Sequence, residues 1–373
     1  MLFEPSNLSE QKARIAVVGV GGAGGNALNR MILSGLDKVE FIAVNTDAQD
    51  LDENNSQIKL QIGKELTKGL GAGANADVGH QAVEENRDIL VKALDGCDMV
   101  FITAGMGGGT GTGAAPAIAK ITRELGALTV GVVTKPFSFE GPKRKVRADD
   151  GVEELKRNCD TLLVIPNETL LEITEKATSV NDSFKLADSV LYQATKGISD
   201  LINVPGLINL DFADVKTVME NMGDAIMGTG EAHGEERAIL AAQQAINSPL
   251  LQDSSIKGSK GLLVNITGPE DMSIHELNSA SSIIYEEAGD DANVILGCVI
   301  DDSLKDEVRV TVIATGLNDD GTVELGHNIN TEQMSFINKD KTKPSNSTNT
   351  SNQTMSFGDS DFDVPTYLRA DRK

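Results

Sequence analysis

The chain has 373 residues and a formal net charge of −23. That length exceeds what one hydrophobic core usually serves, so two domains and a tail are expected. The acidity argues against general nucleic-acid binding and against electrostatic attachment to an anionic membrane, because both surfaces would repel the chain.

Residues 1–12 are polar and aperiodic, a loose arm without the basic start and apolar centre of a signal peptide. No apolar run in the chain reaches the ~20 residues that span a bilayer. Cys97, Cys159 and Cys298 are far apart and in apolar company, which suits buried thiols in a reducing cytosol. His80, His233, His275 and His327 are equally isolated, so no metal site is expected among the side chains.

Residues 13–20 read as a buried strand running into Gly21, Gly22, Ala23, Gly24, Gly25 and Asn26. A helix follows, with Leu28, Ile32 and Leu33 on one side. Gly19, Gly21 and Gly24 satisfy G-x-G-x-x-G in the strand–turn–helix setting that gives the pattern meaning. A second strand, 40–46, ends at Asp47, about where a dinucleotide fold holds a ribose hydroxyl. These features support a rival reading as a nicotinamide or flavin oxidoreductase. A further glycine-rich loop, 68–77, contains Ala72 and Gly73 and leads into a helix expected over 78–94.

The apolar strand 99–104 then enters Gly105, Met106, Gly107, Gly108, Gly109, Thr110, Gly111, Thr112 and Gly113, six glycines in nine residues. Glycine lets backbone N–H groups approach a ligand closely. A helix start adds unpaired donors and the positive end of a dipole, and the two hydroxyls can bond phosphate oxygens. The pattern predicts a phosphate cradle, with a small-residue helix beginning at Ala114. Strands follow at 127–134 and 161–165. The first ends at 136–141 before a basic helix start carrying Lys143, Arg144, Lys145 and Arg147; the second closes at Pro166 and Asn167. Apolar strands alternating with helices predict a parallel sheet covered on both faces. Ligands bind beyond the carboxyl ends of such strands, where Gly21, Asn45, Gly107, Pro136 and Asn167 all lie.

A long helix is expected over 181–203, with Phe184, Ala187, Leu191, Ala194, Ile198 and Leu201 at helical spacing. Phe184 and Asp188 are four apart and share a face. A ring with a carboxylate one turn away suits a purine, and guanine offers a carboxylate two adjacent donors. Core packing and a solvated face explain the pair equally well. Pro205 and Gly206 end this helix. Asp211 is placed to cap the next one, with Asp214 in its first turn, and capping explains both carboxylates without chemistry. From 235 onward a helix (to 247), a strand (261–267), a helix (273–288) and two strands (292–300 and 307–315) form a compact α+β domain. After Gly316 the pattern collapses: 318–361 is polar and cannot repay the entropy of folding. At its end Phe362, Val364, Tyr367 and Leu368 surround Pro365, a tethered apolar peptide suited to a partner.

There is no G-x-x-x-x-G-K-[ST], which excludes a P-loop NTPase. The loop Gly107 to Gly113, with the other motifs in their order, resembles the tubulin/FtsZ family of GTPases, from about Ala13 to Thr315 and again at the tail. That resemblance implies an α/β fold. Behind the arm 1–12 come a doubly wound, parallel-sheet GTP-binding domain (13–178), a central helix (179–204) and a smaller α+β domain (205–316). A disordered linker (317–360) and an end peptide (361–373) follow. It implies that Gly21, Gly22, Ala23, Gly24, Gly25 and Asn26 form the first nucleotide loop and that Ala72 and Gly73 lie beside the γ-phosphate. Gly105, Gly107, Gly108, Gly109, Thr110, Gly111, Thr112 and Gly113 surround the phosphates. Glu140 and Arg144 match ribose and phosphate contacts, Asn167 and Asp188 match groups around sugar and guanine, and Phe184 matches the stacking ring. Asn209, Asp211 and Asp214 match a catalytic loop that acts on the nucleotide of the neighbouring subunit, which reverses the preference for capping alone.

The resemblance further implies GTP or GDP as ligand, Mg2+ bound mainly through the phosphates, and K+ as one option at the subunit interface. Implied partners are other copies of the chain, head to tail, and membrane-tethering adaptors and division regulators that dock on Asp361 to Arg369. No nucleic acid and no membrane insertion are expected. The expected location is the cytoplasm, in a ring at the division site beneath the inner membrane.

Overall fold

The computed structural model describes residues 13–171, 174, 178–204, 206–208, 210–251 and 256–317. The N-terminal arm, Asn209, the linker and the end peptide lie outside the described residues.

β1 (Ile15–Val20) leads into α1 (Gly21–Leu33), and β2 (Glu40–Asn45) into α2 (Ala48–Glu53). A four-residue β3 (Ile58–Gln61) and a single turn, α3 (Lys64–Thr67), precede α4 (Ala76–Glu85) and α5 (Arg87–Leu94). The one helix expected over 78–94 is therefore two. It breaks at Asn86, which ends one helix and starts the next while its Oδ1 accepts the Gly63 N–H at 2.7 Å. β4 (Met99–Gly105), α6 (Thr110–Glu124), β5 (Leu128–Lys135), α7 (Pro142–Asn158), β6 (Thr161–Pro166) and the short α8 (Asn167–Leu170) complete the alternating half.

Both glycine loops are shorter than expected, because helix already begins within them. α1 starts at Gly21 and α6 at Thr110, not at Ala114. Pro116 consequently lies inside α6, where the carbonyl of Thr112 loses its amide partner.

These strands are all parallel, in the order β3-β2-β1-β4-β5-β6. The order reverses between β1 and β4, which pair with Val20 opposite Ala104. The two glycine-rich turns thus leave adjacent strands at the switch point, where an open parallel sheet forms its crevice. Alternate strand residues serve opposite faces. Val17, Phe101 and Val130 pack with α1, whereas Val18, Val100 and Ile102 pack under α4, α5, α6 and α7.

α9 (Val180–Asn203) crosses the first of these faces, burying Ala187, Val190, Leu191, Ala194, Ile198 and Leu201. Each fully buried Leu or Ile contributes about 1.5–3 kcal/mol. Phe184 shares their period but is 40% exposed, since it lies beyond the sheet edge.

After α10 (Phe212–Met219) comes β7 (Gly223–His233), an eleven-residue strand the sequence pattern conceals. Gly228 and Gly230 interrupt its apolar alternation because α11 (Arg237–Ile246) lies directly on them; a Cβ at either would sit 2.0 Å from a helix carbonyl. β8 (Gly261–Gly268), α12 (Ile274–Ala288), β9 (Asn293–Ile300) and β10 (Glu307–Thr315) complete the second half. Their strands are not a separate sheet. β7 pairs with β6 through Thr161 and Gly223, and the order β7-β10-β8-β9 extends the first half into one mixed sheet of ten strands. Cys97, Cys159 and Cys298 are free and buried, and burial pushes the Cys159 thiol up to about 12. Among the described residues no helix is long and apolar enough to cross a membrane.

Candidate functional site

The crevice at the carboxyl ends of the strands is assembled by backbone contact. Gly21 has φ +72° and lies so near α6 that a Cβ there would be 3.0 Å from the Gly111 nitrogen. A Cβ on Gly105 would meet that of Ala23 at 2.6 Å. Gly24 rests on the Thr103 carbonyl, and Gly19 on that of Gly24. The first and third glycine turns therefore interlock. The fingerprint glycines serve this fit, and Asp47 has a local role: it caps α2 by accepting the Gln49 N–H at 3.0 Å.

The second glycine-rich loop closes over the third. Ala72 is buried, and Gly109 faces Ala72, Ala74 and Asn75 at distances that admit no side chain. Thr46 and Thr110 share a hydroxyl–hydroxyl bond of 2.6 Å, and the Thr67 hydroxyl donates to the Thr46 carbonyl at 3.2 Å. A cavity of about 100 Å3 adjoins the first turn, lined in part by Gly21, Gly22, Gly25, Asn26, Asn45 and Asp50.

Within the third loop the Gly107 N–H donates to the buried Thr112 hydroxyl at 2.8 Å, and its carbonyl accepts from Arg147 Nε at 3.1 Å. One amide and one hydroxyl expected to face a ligand are thus joined to each other. Gly108, by contrast, borders open space, and among the described residues no atom accepts its N–H. Gly108 and the first turn of α6 supply the cradle's free donors.

Beyond β5, Phe137 is buried, stacks on Phe139 with centroids 5.0 Å apart, and meets Phe184 edge to face at 5.4 Å. This contact brings the start of α9 to the carboxyl ends of the sheet. Glu140 accepts the Phe137 N–H at 3.0 Å and pairs with Arg144 at 3.1 Å, so the two residues form one unit at the start of α7. Asn167 is buried at the end of β6, and its Oδ1 has no partner among the described residues. A buried acceptor left open in a crevice fits a ligand hydroxyl or amino group. Asp188 is half-buried, one turn beyond Phe184. Burial pushes its carboxyl up to about 6 against the opposing pull of Arg30. The structure therefore gathers the three glycine-rich loops, Phe184, Asp188, Asn167, Glu140 and Arg144 around one end of the sheet.

Asp211 and Asp214 are elsewhere. Asp211 caps α10 by accepting the Asp214 N–H at 2.9 Å, and Asp214 accepts the Asp211 N–H at 3.3 Å. This reciprocal box uses one oxygen of each carboxylate and, among the described residues, leaves the other open. The segment before it is held on β9, where the Leu207 N–H donates to the Cys298 carbonyl at 2.9 Å. Two contacts locate this end of the molecule. Lys38, just before β2, donates to the Asn203 carbonyl at 3.0 Å, and the Thr161 hydroxyl, at the start of β6, donates to the Met219 carbonyl. Both anchors are at the amino ends of parallel strands. α9 has 24 residues and spans about 36 Å, so the Asp211–Asp214 pair is a helix length from the crevice.

Sequence reasoning missed Arg147 as a partner of the phosphate loop; nothing in the spacing of a basic helix start singles it out. Among the described residues no group of three or more His, Cys, Asp or Glu is placed to hold a metal ion.

Residues 14–175 match the Tubulin/FtsZ family GTPase domain and residues 223–318 the FtsZ family C-terminal domain. Among solved structures, an empty FtsZ dimer from M. jannaschii is 47% identical, with a TM-score of 0.79 over 83% of this chain and 90% of that one. A GTPγS-bound protofilament of CetZ2 from Haloferax volcanii shares the fold at 20% identity, with a TM-score of 0.68 over 83% of this chain and 95% of that one. A GDP-bound CetZ1 monomer from the same organism is 22% identical, with a TM-score of 0.71 over 82% of this chain and 95% of that one.

Proposed function

The chain belongs to the tubulin/FtsZ family of GTPases, and from that premise we propose that it is a self-assembling GTPase whose active site is completed between subunits. The carrying observation is the distance just described. The loop Gly105 to Gly113 offers donors for phosphate but no carboxylate or imidazole to act as a base, while the exposed Asp211–Asp214 pair is about 36 Å away along α9.

In this reading the triphosphate rests on the Gly108 N–H and the start of α6, with Gly21 to Asn26 and Ala72–Gly73 around it. Asp188 accepts the two adjacent donors of guanine, Phe184 stacks on the base, and Asn167 Oδ1 takes a sugar or base donor. Glu140 and Arg144 contact ribose and phosphate. The charge of the phosphates would be offset by Mg2+ bound mainly through the nucleotide itself. Asp211 and Asp214 of the next subunit, with Asn209, orient the attacking water through the carboxylate oxygens that capping leaves open. Phosphoryl transfer depends chiefly on such positioning and electrostatics. A head-to-tail contact that does not close into a ring of subunits builds a filament, so hydrolysis follows assembly. The dimer and protofilament states of the similar structures support self-association.

The same reading places the filaments in the cytoplasm, as the ring at a bacterial division site. It assigns Asp361 to Arg369 to membrane-tethering adaptors and division regulators, and leaves K+ as an option at the subunit contact. The test is phosphate release from GTP measured against protein concentration. Negligible specific activity below a threshold, rising above it, is expected; activity per subunit independent of concentration rejects the shared site.

A further inference from the structure

We propose that Arg147 is a positioning residue of the phosphate loop: it orients the Gly107–Gly108 peptide so that the Gly108 N–H faces the bound anion. The inference rests on reading the loop as a GTP site.

Gly107 is held on three sides. Its N–H donates to Thr112 Oγ1 at 2.8 Å, its carbonyl accepts from Arg147 Nε at 3.1 Å, and its α-carbon abuts the Arg144 carbonyl so closely that a Cβ would lie 2.6 Å away. Its φ of +97° belongs to the region that favours glycine. In a trans peptide the C=O of one residue and the N–H of the next point in opposite directions. Drawing the Gly107 carbonyl toward α7 therefore turns the Gly108 N–H away from α7. That is the N–H without an acceptor among the described residues, on the residue that borders open space.

The partner chosen by Arg147 is itself informative. Asp150 and Glu154 stand one and two turns on along α7 and, with Asp77 and His80, line the same cavity of about 290 Å3 as Arg147. Arg147 makes no ion pair with any of them among the described residues. Its Nε is committed to the loop carbonyl. Without it, the restraints left are the Thr112 bond and the Arg144 contact, neither of which acts on the Gly107 carbonyl, and the Gly107–Gly108 plane could rotate. The donor would then be lost to the phosphate, although no residue touching phosphate had changed.

Two substitutions separate the hydrogen bond from the charge. Methionine matches the length of the arginine stem without a donor. Glutamine places its Nε2 the same number of bonds from the backbone as arginine's Nε, without a charge. GTP affinity is measured on the full chain by titration below the assembly threshold, with GTP turnover above it. Arg147→Met is expected to weaken GTP binding about tenfold, the loss typical of a charge-assisted hydrogen bond. KM should rise, kcat at saturating GTP should be retained, and ligand-free thermal unfolding should stay within about 2 °C. Arg147→Gln is expected to bind within about twofold of wild type. Equal weakening in both variants overturns the inference, because the charge and not the carbonyl contact would then carry the effect. Unchanged affinity in both overturns it as well. Failure of the wild-type chain to bind GTP rejects the underlying site reading.

Discussion

The two ends of the parallel sheet are built from different materials. At the carboxyl ends the turns are backbone, and their placement depends on glycines packed too tightly for any side chain. At the amino ends, Asp211 and Asp214 offer exposed carboxylates that already satisfy each other's backbone as a helix cap. In the proposed function the first end binds without reacting, and the second reacts only with something it does not bind. Backbone geometry also survives changes in pH and surface charge, whereas carboxylates can be altered without disturbing the fold. The two ends therefore fail in different ways.

The largest contrast comes from Asp214→Asn. Its amide oxygen can still accept the Asp211 N–H, so the cap and fold persist while the charge is lost. Turnover above the assembly threshold should fall a hundredfold or more, equivalent to about 3 kcal/mol of transition-state stabilisation. GTP affinity measured by titration should stay unchanged. A variant turning over at the wild-type rate would leave the pair as a helix cap alone.

Gly113→Ala attacks the other end through its packing. The new Cβ would stand 1.8 Å from the Ala76 carbonyl, at the α4–α6 contact. Overpacking of this kind is expected to cost about 3 kcal/mol in urea unfolding, with GTP binding lost in parallel. Wild-type stability would show that α4 is free to retreat.

A smaller effect comes from protonation. The Asp188 carboxyl is pushed up to about 6 by burial, and in the proposed site only its charged form would accept both guanine donors. Binding therefore favours the deprotonated form, and GTP affinity should fall roughly tenfold per unit as pH drops below about 6. For the ligand-free fold the sign is opposite. The cost of burying the charge is present above about pH 6 and is relieved as the pH falls from there toward the ordinary carboxyl value. Asp188→Asn should bind GTP weakly with a flat profile in calorimetric titration; a retained slope would assign the proton to another group. The mildest change is Phe184→Leu, which keeps an apolar side chain at a half-exposed position. Loss of ring stacking should weaken GTP by about 1 kcal/mol with little change in unfolding temperature, and equal affinity for both forms would make the ring dispensable.

Much of the first half was legible in the sequence because its signals are local. Apolar strands alternating with helices, glycine clusters at strand ends and the 3.6-residue period of α9 each lie within one stretch of chain. The Asp211 cap was legible for the same reason. The sequence alone determined that this is an alternating α/β chain with a glycine-rich turn after the strand at 99–104 and a long helix after the alternating half. It also placed Phe184 and Asp188 on one face.

Tertiary structure decided what depends on neighbours distant in the chain. Only pairing shows that β1 and β4 are adjacent, which makes one crevice of two turns. β7 escaped notice because Gly228 and Gly230 answer to α11, and no local rule for strands anticipates a helix resting on them. Both helices begin inside their glycine turns because Gly21 and Gly111 face each other, not because glycine favours helix. The ten strands form one sheet through the short β6–β7 register. The separation of the phosphate loop from Asp211 and Asp214 is likewise a three-dimensional fact. The two segments are about a hundred residues apart in the chain, and a folded chain can bring such segments together or hold them apart. Here α9, anchored at Phe137 and at Lys38, holds them apart.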